Sequence, residues 1–334
     1  MKASQTILSS RVRLARNYED LPFDVGEKTA QAEMCIARTR NALKLGGVQD
    51  FDLLRMEELD PIAQKALVER RVISADLLRH PKTAALLMKE NEPVSIMLNE
   101  DDHLRIQSVL PGFDLHRAAE ACFRTEDVLS RHVTFAFDPH WGYLTACPTN
   151  TGTGMRASLL MHLPMLTMQK RMGDVGAMVS KVGLTINGVY GEGQEALAQI
   201  YRVSNQVALG RTEQDLISAV AAVGQQLTDM ELALRAKALR DMRLTVEDTI
   251  FRAWGALSCA RLMELNEFFK NWSAVRLGAA MGLLPVSMTV LDALLVAVQD
   301  NNLCAFAEKQ LEGQALQEMR AKRIREALGS EVVL

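Results

Sequence analysis

The chain has 334 residues, of which 48% are hydrophobic and 24% charged, with a formal net charge of −3. This composition is typical of a globular protein and excludes a disordered chain. The slightly acidic balance argues against nucleic acid or an anionic membrane as a partner. The five cysteines are widely spaced, which argues against a disulfide framework or a zinc site and favours the cytoplasm. The sequence predicts no signal peptide and no membrane span.

Hydrophobic periodicity predicts short strands mixed with helices over residues 1–210. Strands are predicted at 5–15, 94–98, 104–110, 133–137, 143–147, 182–186 and 197–203. Helices are predicted at 29–45, over most of 60–87, at 115–132 and at 156–172, where Pro164 would kink or split the last one. Because hairpin turns join several of these strands, we expect an α+β fold with an antiparallel sheet flanked by helices, not a doubly wound parallel sheet.

The chain from residue 211 onward has the periodicity of helices almost throughout, with an interruption near 282–285. The pattern therefore predicts two domains. The first, residues 1–235, would carry the sheet, and the second, residues 236–334, would be all helical.

The segment Ser9-Ser10-Arg11-Val12-Arg13 lies in the first predicted strand. Side chains alternate along a strand, so Arg11 and Arg13 share one face and Val12 points to the other. Two adjacent cations repel unless an anion lies between them, and the forked guanidinium donors match phosphate oxygens. Taken alone, the segment is also typical of a solvated strand face with salt bridges.

A cluster of acids, Glu100, Asp101 and Asp102, occupies the turn of the predicted hairpin that continues into Arg105. Such carboxylates could hold a cationic substrate, bind a metal or act as a general base. An ordinary polar turn is the alternative.

The segment 147–158 runs from a predicted strand through a Gly/Thr loop into a predicted helix with Arg156 in its first turn. The free amides and the dipole of a helix N-terminus attract anions. Cys147 lies at the mouth of this loop, where a positive field would favour the thiolate. An ordinary loop with an inert thiol is the alternative. Residues 152–157 match a dinucleotide fingerprint only loosely, and the chain has no P-loop or protein-kinase motif.

A fourth segment, residues 187–195, is a glycine-rich loop between strands with Glu192 in its middle. Glycine allows a close approach to a ligand, although a flexible hairpin loop would look the same. Together, arginines on separate elements and two acidic loops suit a triphosphate beside a cationic co-substrate. The combination predicts transfer of a phosphoryl group by positioning and charge neutralisation, with Mg²⁺ bridging the phosphates.

Four longer segments resemble the ATP:guanido phosphotransferases (phosphagen kinases), and most closely their bacterial protein-arginine kinase branch, McsB. They are SSRVRLARN, NEDDHLRIQSVLPG, YLTACPTNTGTGMRASLLMHLP and GEGQEALAQIYRVSNQVALG, which begin at Ser9, Asn99, Tyr143 and Gly191. The resemblance covers nearly the whole chain, because VEDTIFRAWGAL and the helical end from Leu303 are similar to the C-terminal region of McsB.

The resemblance implies roles for particular residues. Arg11, Arg13, Arg105 and Arg156 would bind the nucleotide phosphates. The whole ATP site would include Ser9, Ser10, Arg11, Val12, Arg13, Arg71, Arg105, Arg156, Ala157, Ser158, Leu159, Leu160, Asn187, Gly188, Val189, Tyr190 and Gly191. Cys147 would lie beside the substrate guanidinium, and Glu192 with Glu100 or Asp101 would grip and deprotonate it. No protein-held metal is implied, because Mg²⁺ would be bound through the nucleotide.

The activity that the resemblance implies is transfer of the γ-phosphoryl group of MgATP to arginine side chains of proteins, which would mark them for a Clp protease during stress. It implies a Clp ATPase and a zinc-bearing McsA-like activator as partners, a cytoplasmic location, and a homodimer formed through the C-terminal helices. Phosphagen kinases for small substrates carry a helical domain before the first arginine motif. Only ten residues precede Arg11 here, which favours a protein substrate.

The chain departs from the family pattern at four places. Asp101 stands where glutamate is usual, Asn187 where a fifth phosphate-binding arginine is expected, and Arg71 where a histidine is usual. Of the RDxxRA motif that binds phosphoarginine in McsB, only Arg320 and Ala321 remain. Two alternatives therefore stand beside the active protein kinase: a nucleotide-binding scaffold with weakened catalysis, and a kinase for small guanidino compounds.

Overall fold

The computed structural model describes residues 5–23, 26–48, 50–89, 93–190 and 196–329. These ranges contain the strands β1 (Ile7–Arg16), β2 (Asp52–Arg55), β3 (Ala85–Met88), β4 (Val94–Leu98), β5 (Leu104–Pro111), β6 (Phe137–Asp138), β7 (Gly142–Tyr143), β8 (Met155–His162), β9 (Leu184–Gly188) and β10 (Ile200–Asn205). Eight of them form one sheet in the order β2-β3-β4-β5-β1-β8-β10-β9, while β6 and β7 pair separately. All pairings within this sheet are antiparallel, which confirms the predicted fold class.

The helices are α1 (Thr29–Leu45), α2 (Pro61–Glu69), α3 (Leu115–Ser130), α4 (Pro164–Met168), α5 (Met172–Ser180), α6 (Glu213–Asp241), α7 (Arg243–Cys259), α8 (Leu265–Ala280), α9 (Met288–Ala297), α10 (Asp300–Phe306) and α11 (Gly313–Gly329). The helical region from α7 to α11 confirms the predicted helical C-terminal part. The predicted boundary after residue 235 lies within α6, and the division into 1–235 and 236–334 stays a prediction. None of the described helices is both long and apolar enough to cross a bilayer.

The sheet has one apolar face and one polar face. In β1, Val12 and Leu14 are fully buried, whereas Arg11 and Arg13 project to the other side. Helix α3 packs against β1 and β5, and α6 packs against β8 and β10. Burial of the apolar face fixes the register, because a one-residue slip would bring the arginines into the core.

The predicted helix at 156–172 is wrong over residues 156–162, whereas a helix does begin at Pro164, where a kink or split was expected. Residues 155–162 form the central strand β8 between β1 and β10, and the helices α4 and α5 begin only at Pro164 and Met172. A strand covered by neighbouring elements can be apolar without a period of two, so its pattern resembles that of a buried helix.

The region 60–87 is also less helical than predicted. Helix α2 ends at Glu69, a 3-10 turn covers Asp76–Arg79, and β3 begins at Ala85. Ala-Leu-Leu-Met favours a helix locally, but pairing of β3 with β2 and β4 overrides this preference. Strand β2 was not predicted. The hairpin predicted at 133–147 is reduced to the short ladder of β6 and β7.

Candidate active site

Three neighbouring strands, β5, β1 and β8, bring guanidinium groups to the polar face of the sheet. Arg13 of β1 lies opposite Gln107 of β5 and Arg156 of β8, and Arg105 lies opposite Ala15. Residues directly opposite each other in an antiparallel ladder project from the same face. The structure therefore places Arg11, Arg13, Arg105 and Arg156 together, although they are separated by up to 145 positions in sequence.

Two adjacent cavities open on this face. The larger, of about 190 Å³, is lined by Arg13, Arg105, Arg156, Asp101, Cys147 and four further residues near them, together with Asp76. The smaller, of about 20 Å³, is lined by Ser9, Arg11, Arg71, Val109, Ser158, Leu160 and Arg202. The larger cavity therefore combines a wall of three arginines with an acid, Asp101, and a thiol, Cys147.

The cationic wall is poorly neutralised by the carboxylates that the structure describes. Within the described ranges, no carboxylate forms an ion pair with Arg11, Arg13 or Arg156. Burial, followed by the fields of Arg105 and Arg156, lowers the pKa of Arg13 to about 9. Burial and the neighbouring guanidiniums also lower the pKa of Arg11. Such an arrangement is unfavourable without a ligand and favours binding of an anion with several negative charges.

The structure corrects the origin of the positive field at Arg156. This residue does not lie in the first turn of a helix but on strand β8, so a helix dipole does not contribute there. The preceding loop ends at Gly154, whose φ is +62° and whose carbonyl accepts a hydrogen bond of 2.8 Å from the Ala15 amide. The loop thus packs directly against β1 and leads Arg156 to its position beside Arg13.

The three acids of the turn after β4 have different environments. The Glu100 side chain is buried, and its Oε1 accepts hydrogen bonds from Ser74 and Arg105. Burial raises the pKa of Glu100. The Asp101 carboxylate is partly exposed on the cavity, with Oδ2 at 3.6 Å from Nη2 of Arg105 and Oδ1 at 3.5 Å from Nη1 of Arg79. Asp101 is therefore the acid of this turn that can meet a ligand, whereas Glu100 orients Arg105.

The third acid, Asp102, connects the turn to the cysteine loop. Its buried Oδ1 accepts from Asn17 Nδ2 at 2.6 Å and from the Ala146 amide at 2.7 Å. These bonds hold the backbone immediately before Cys147, whose Sγ lies 3.1 Å from Thr149 Oγ1. Neither Asp102 nor Asn17 was predicted as a site residue. Asp102 was visible in the acidic turn, but only the fold shows that it holds the cysteine loop.

Several residues predicted for the ATP site face the core instead. The side chains of Val12, Ala157 and Leu159 are fully buried, and Ser10 Oγ donates to the Gly112 carbonyl at 2.8 Å. Strand alternation explains this division, because only every second residue of β1 and β8 reaches the polar face. Ser9, Ser158 and Leu160 do reach it, at the smaller cavity.

The end of β9 borders the same face. Arg71 has a φ of +61° and donates a 2.5 Å hydrogen bond to the Tyr190 hydroxyl, which brings Tyr190 to the cluster. Asn187 is exposed, and Gly188 and Val189 follow it toward Tyr190. The predicted residues Gly191 and Glu192 lie outside the described residues.

Arg202 of β10 belongs to the cationic face but was not predicted. It lies directly opposite Leu160 of β8 and Asn187 of β9. The sequence pattern could have indicated this position. In the strand Ile200–Asn205, alternation places Arg202 on the face opposite the buried Val203.

Inorganic triphosphate is expected to stabilise the protein by offsetting the repulsion within this cluster. A ligand that binds only the folded state at about 100 times its Kd contributes about 2.7 kcal/mol to the free energy of unfolding. Thermal unfolding with and without triphosphate measures this as an increase in Tm. Sodium chloride at matched ionic strength is the control, and equal shifts with both salts would contradict a specific anion site.

Comparison with known families agrees with this geometry. The family model described as "ATP:guanido phosphotransferase, C-terminal catalytic domain" matches residues 34–234. The model described as "Protein-arginine kinase McsB C-terminal domain" matches residues 243–332.

Curated relatives extend over almost the whole chain. The protein-arginine kinase of Geobacillus thermodenitrificans is 40% identical over 332 residues, which cover 98% of this chain and 92% of that protein. The protein-arginine kinase of Bacillus subtilis is 37% identical over 333 residues, with the same coverage of 98% and 92%.

Solved structures share the fold. Lombricine kinase superposes with a TM-score of 0.62 at 22% identity, covering 70% of this chain and 68% of its own. The duplicated taurocyamine kinase from Schistosoma mansoni gives a TM-score of 0.60 at 22% identity, covering 75% of this chain and 37% of its own. The matches over the sheet and the C-terminal helices, and the relatives that span both, show that the chain belongs to the ATP:guanido phosphotransferase family, in its McsB protein-arginine kinase branch.

Proposed function

We propose that this chain transfers the γ-phosphoryl group of MgATP to the guanidinium group of arginine side chains in proteins. The observation that carries the proposal is the larger cavity, where Arg13, Arg105 and Arg156 face a space shared with Asp101 and Cys147. The cations suit the phosphates, and the acid and the thiol suit a cationic acceptor. The relatives that match along the chain are protein-arginine kinases.

In the proposed reaction, a terminal nitrogen of the arginine side chain attacks the γ-phosphorus. An N–P bond forms while the bond from the γ-phosphorus to the β,γ-bridging oxygen breaks, which yields phosphoarginine and ADP. The guanidinium gives up one proton, and we assign its acceptance to Asp101, because the Glu100 carboxylate already accepts from Arg105 and Ser74. The arginine wall stabilises the charge on the transferred group and on the leaving phosphate.

Cys147 is proposed to act as a thiolate that polarises the substrate guanidinium. Glu192 is proposed as the second carboxylate that grips it, on the resemblance of its segment to the family. Mg²⁺ is proposed to arrive with ATP, held between phosphate oxygens. A cytoplasmic location, a homodimer, a zinc-bearing McsA-like activator and a Clp ATPase that takes the phosphorylated proteins are proposed on the same resemblance.

Labelling with MgATP tests the proposed function. The pure protein is incubated with an arginine-rich unfolded protein or with free arginine, and acid-labile phosphate on guanidino groups is measured. Labelling of the protein substrate supports the proposal. Labelling of free arginine alone would indicate a small-molecule kinase, and nucleotide binding without labelling, with an activator present, would indicate a scaffold.

Asp101→Asn is expected to lower the rate of protein phosphorylation by about 10²-fold or more, because general bases typically contribute at least this factor. ADP binding should change much less, because the arginines and not Asp101 are assigned to the nucleotide phosphates. The rate is measured by phosphate incorporation, and ADP binding by calorimetry.

Asp248→Asn is the matched control for this prediction. Asp248 pairs with Arg252 on the exposed surface of α7, so the same chemical change should leave the rate unaltered. An Asp101→Asn variant with an unchanged rate would contradict the assignment of the base. Asp101→Glu tests whether the shorter side chain of aspartate lowers the rate. A large gain in rate would show that aspartate limits catalysis at this position.

A further inference from the structure

Arg202 is an additional cation of the polar face, supplied by β10. It lines the smaller cavity with Arg11, Arg71 and Ser158. Its side chain is partly buried, and among the described residues no carboxylate lies within ion-pair distance of Arg202 or Arg11. Burying a cation without a counter-ion is costly, so the cluster of Arg11, Arg71 and Arg202, which no described carboxylate neutralises, favours binding of an anion.

The electrostatic environment of Arg202 is almost entirely repulsive. Burial, followed by the fields of Arg71 and Arg156, lowers the pKa of Arg202, and among the described residues Tyr190 acts weakly in the opposite direction. Arg11 is affected in the same way by Arg13, Arg202 and Arg71. Arg202 therefore lies in the smaller cavity and is close enough to interact electrostatically with cations of both cavities.

The two cavities are aligned along β1. Arg13 reaches the cavity that holds Asp101 and Cys147, and Arg11, two residues earlier, reaches the other. Strand geometry separates their Cα atoms by about 6.6 Å. Linked phosphoryl groups can span such a separation, so one polyphosphate chain can contact both clusters at once.

We propose that Arg202 is a further phosphate-binding residue of the nucleotide site. With Arg11 and Arg71 it would form an anion subsite for the phosphates nearest the ribose, while Arg13, Arg105 and Arg156 hold the group that is transferred. The direction of the phosphate chain rests on the proposed function, because that function places the acceptor beside Cys147 and Asp101. The existence of the subsite rests on the charges and the cavity alone.

The subsite has a kinetic signature that separates it from the transferring site. A contact made equally in the ground state and the transition state affects KM and leaves kcat unchanged. Arg202→Gln is therefore expected to raise the KM for ATP and the Kd for ADP by about tenfold to a hundredfold, the value of a charge-assisted hydrogen bond, with little change in kcat. The nucleotide-free variant should also have a higher Tm, because one of several repelling cations is gone.

The strand register supplies a second test. Asn187 of β9 lies directly opposite Arg202, so an arginine at either position projects from the same face with its Cβ about 5 Å from the other. The double variant Asn187→Arg, Arg202→Asn is expected to recover most of the ADP affinity that Arg202→Asn loses. A merely structural role of Arg202 would not predict recovery from the neighbouring strand.

Calorimetric titration with ADP tests the subsite by binding alone, without phosphoryl transfer. Weaker binding in Arg202→Gln and recovery in the double variant support the subsite, and an unchanged Kd in a folded Arg202→Gln overturns it. If Arg202→Gln does not fold, the double variant decides: wild-type affinity supports the subsite, and a folded protein with weak binding overturns it. If the wild-type protein labels no substrate while Arg202→Gln still weakens ADP binding, the proposed function fails and the subsite stands.

Discussion

Arg156→Ala is expected to lower kcat/KM for protein phosphorylation by about 10³-fold, the effect typical of removing a cation that stabilises a transferring phosphoryl group. Arg156 lies opposite Arg13 in the β1–β8 ladder and lines the cavity beside Cys147. Because its guanidinium has no carboxylate partner among the described residues, the loss should appear in catalysis and not in folding. We expect the nucleotide-free variant to be at least as stable as the wild type.

Initial rates of phosphate incorporation and the Tm measured without ligand check both parts of this prediction. Arg124→Ala is the matched control, because the Arg124 side chain is 73% exposed on α3 and its ion pair with Glu120 is long, at 3.9 Å. Its rate should be that of the wild type. An Arg156→Ala variant within tenfold of the wild-type rate would show that the phosphoryl group is bound elsewhere.

Gly154→Ala is expected to reduce the free energy of unfolding by about 2–5 kcal/mol and to abolish most activity. The φ of Gly154 is +62°, where an L side chain is strained. An added Cβ would lie 2.6 Å from the Ala15 carbonyl oxygen and would also clash with Nη1 of Arg16. Relief requires the loop to move away from β1, which would displace the start of β8 and with it Arg156.

Urea unfolding and the phosphorylation rate measure the effect. Gly255→Ala is the control, because Gly255 is an exposed residue of α7 and an added Cβ there would meet nothing within 4 Å beyond its own helix backbone and chain neighbours. In a helix this change should raise stability by about 0.5–1 kcal/mol. If Gly154→Ala retained full stability, the close packing of the loop on β1 would not be needed.

The acidic turn illustrates how far the sequence could lead. Three adjacent acids predicted a functional cluster, and the cluster does lie at the cavity. Their separate environments depend on contacts with distant residues, since Glu100 meets Ser74 and Asp102 meets Asn17 and Ala146. Nothing in the order of three acids could indicate which of them stays free for a substrate.

Arg156 illustrates the opposite case. Its inclusion among the phosphate-binding residues came from a resemblance of motifs, while its local pattern predicted a helix. The structure places it on β8, and it lies close to Arg13 because β8 pairs with β1. The end of β1 and the start of β8 are 139 positions apart in the sequence. Local periodicity cannot report such pairing, because a buried strand and a buried helix segment are equally apolar.

By itself, the sequence determined the family, the antiparallel α+β class, the helical C-terminal part and the arginines of β1, because composition, hairpin turns and long motifs are local properties of the chain. Only the tertiary structure decided which alternate residues of β8 and β10 face the cavities, that Asp102 holds the cysteine loop, and that Arg202 joins the cationic face. These features arise from strand register and burial, which depend on contacts between segments far apart in sequence.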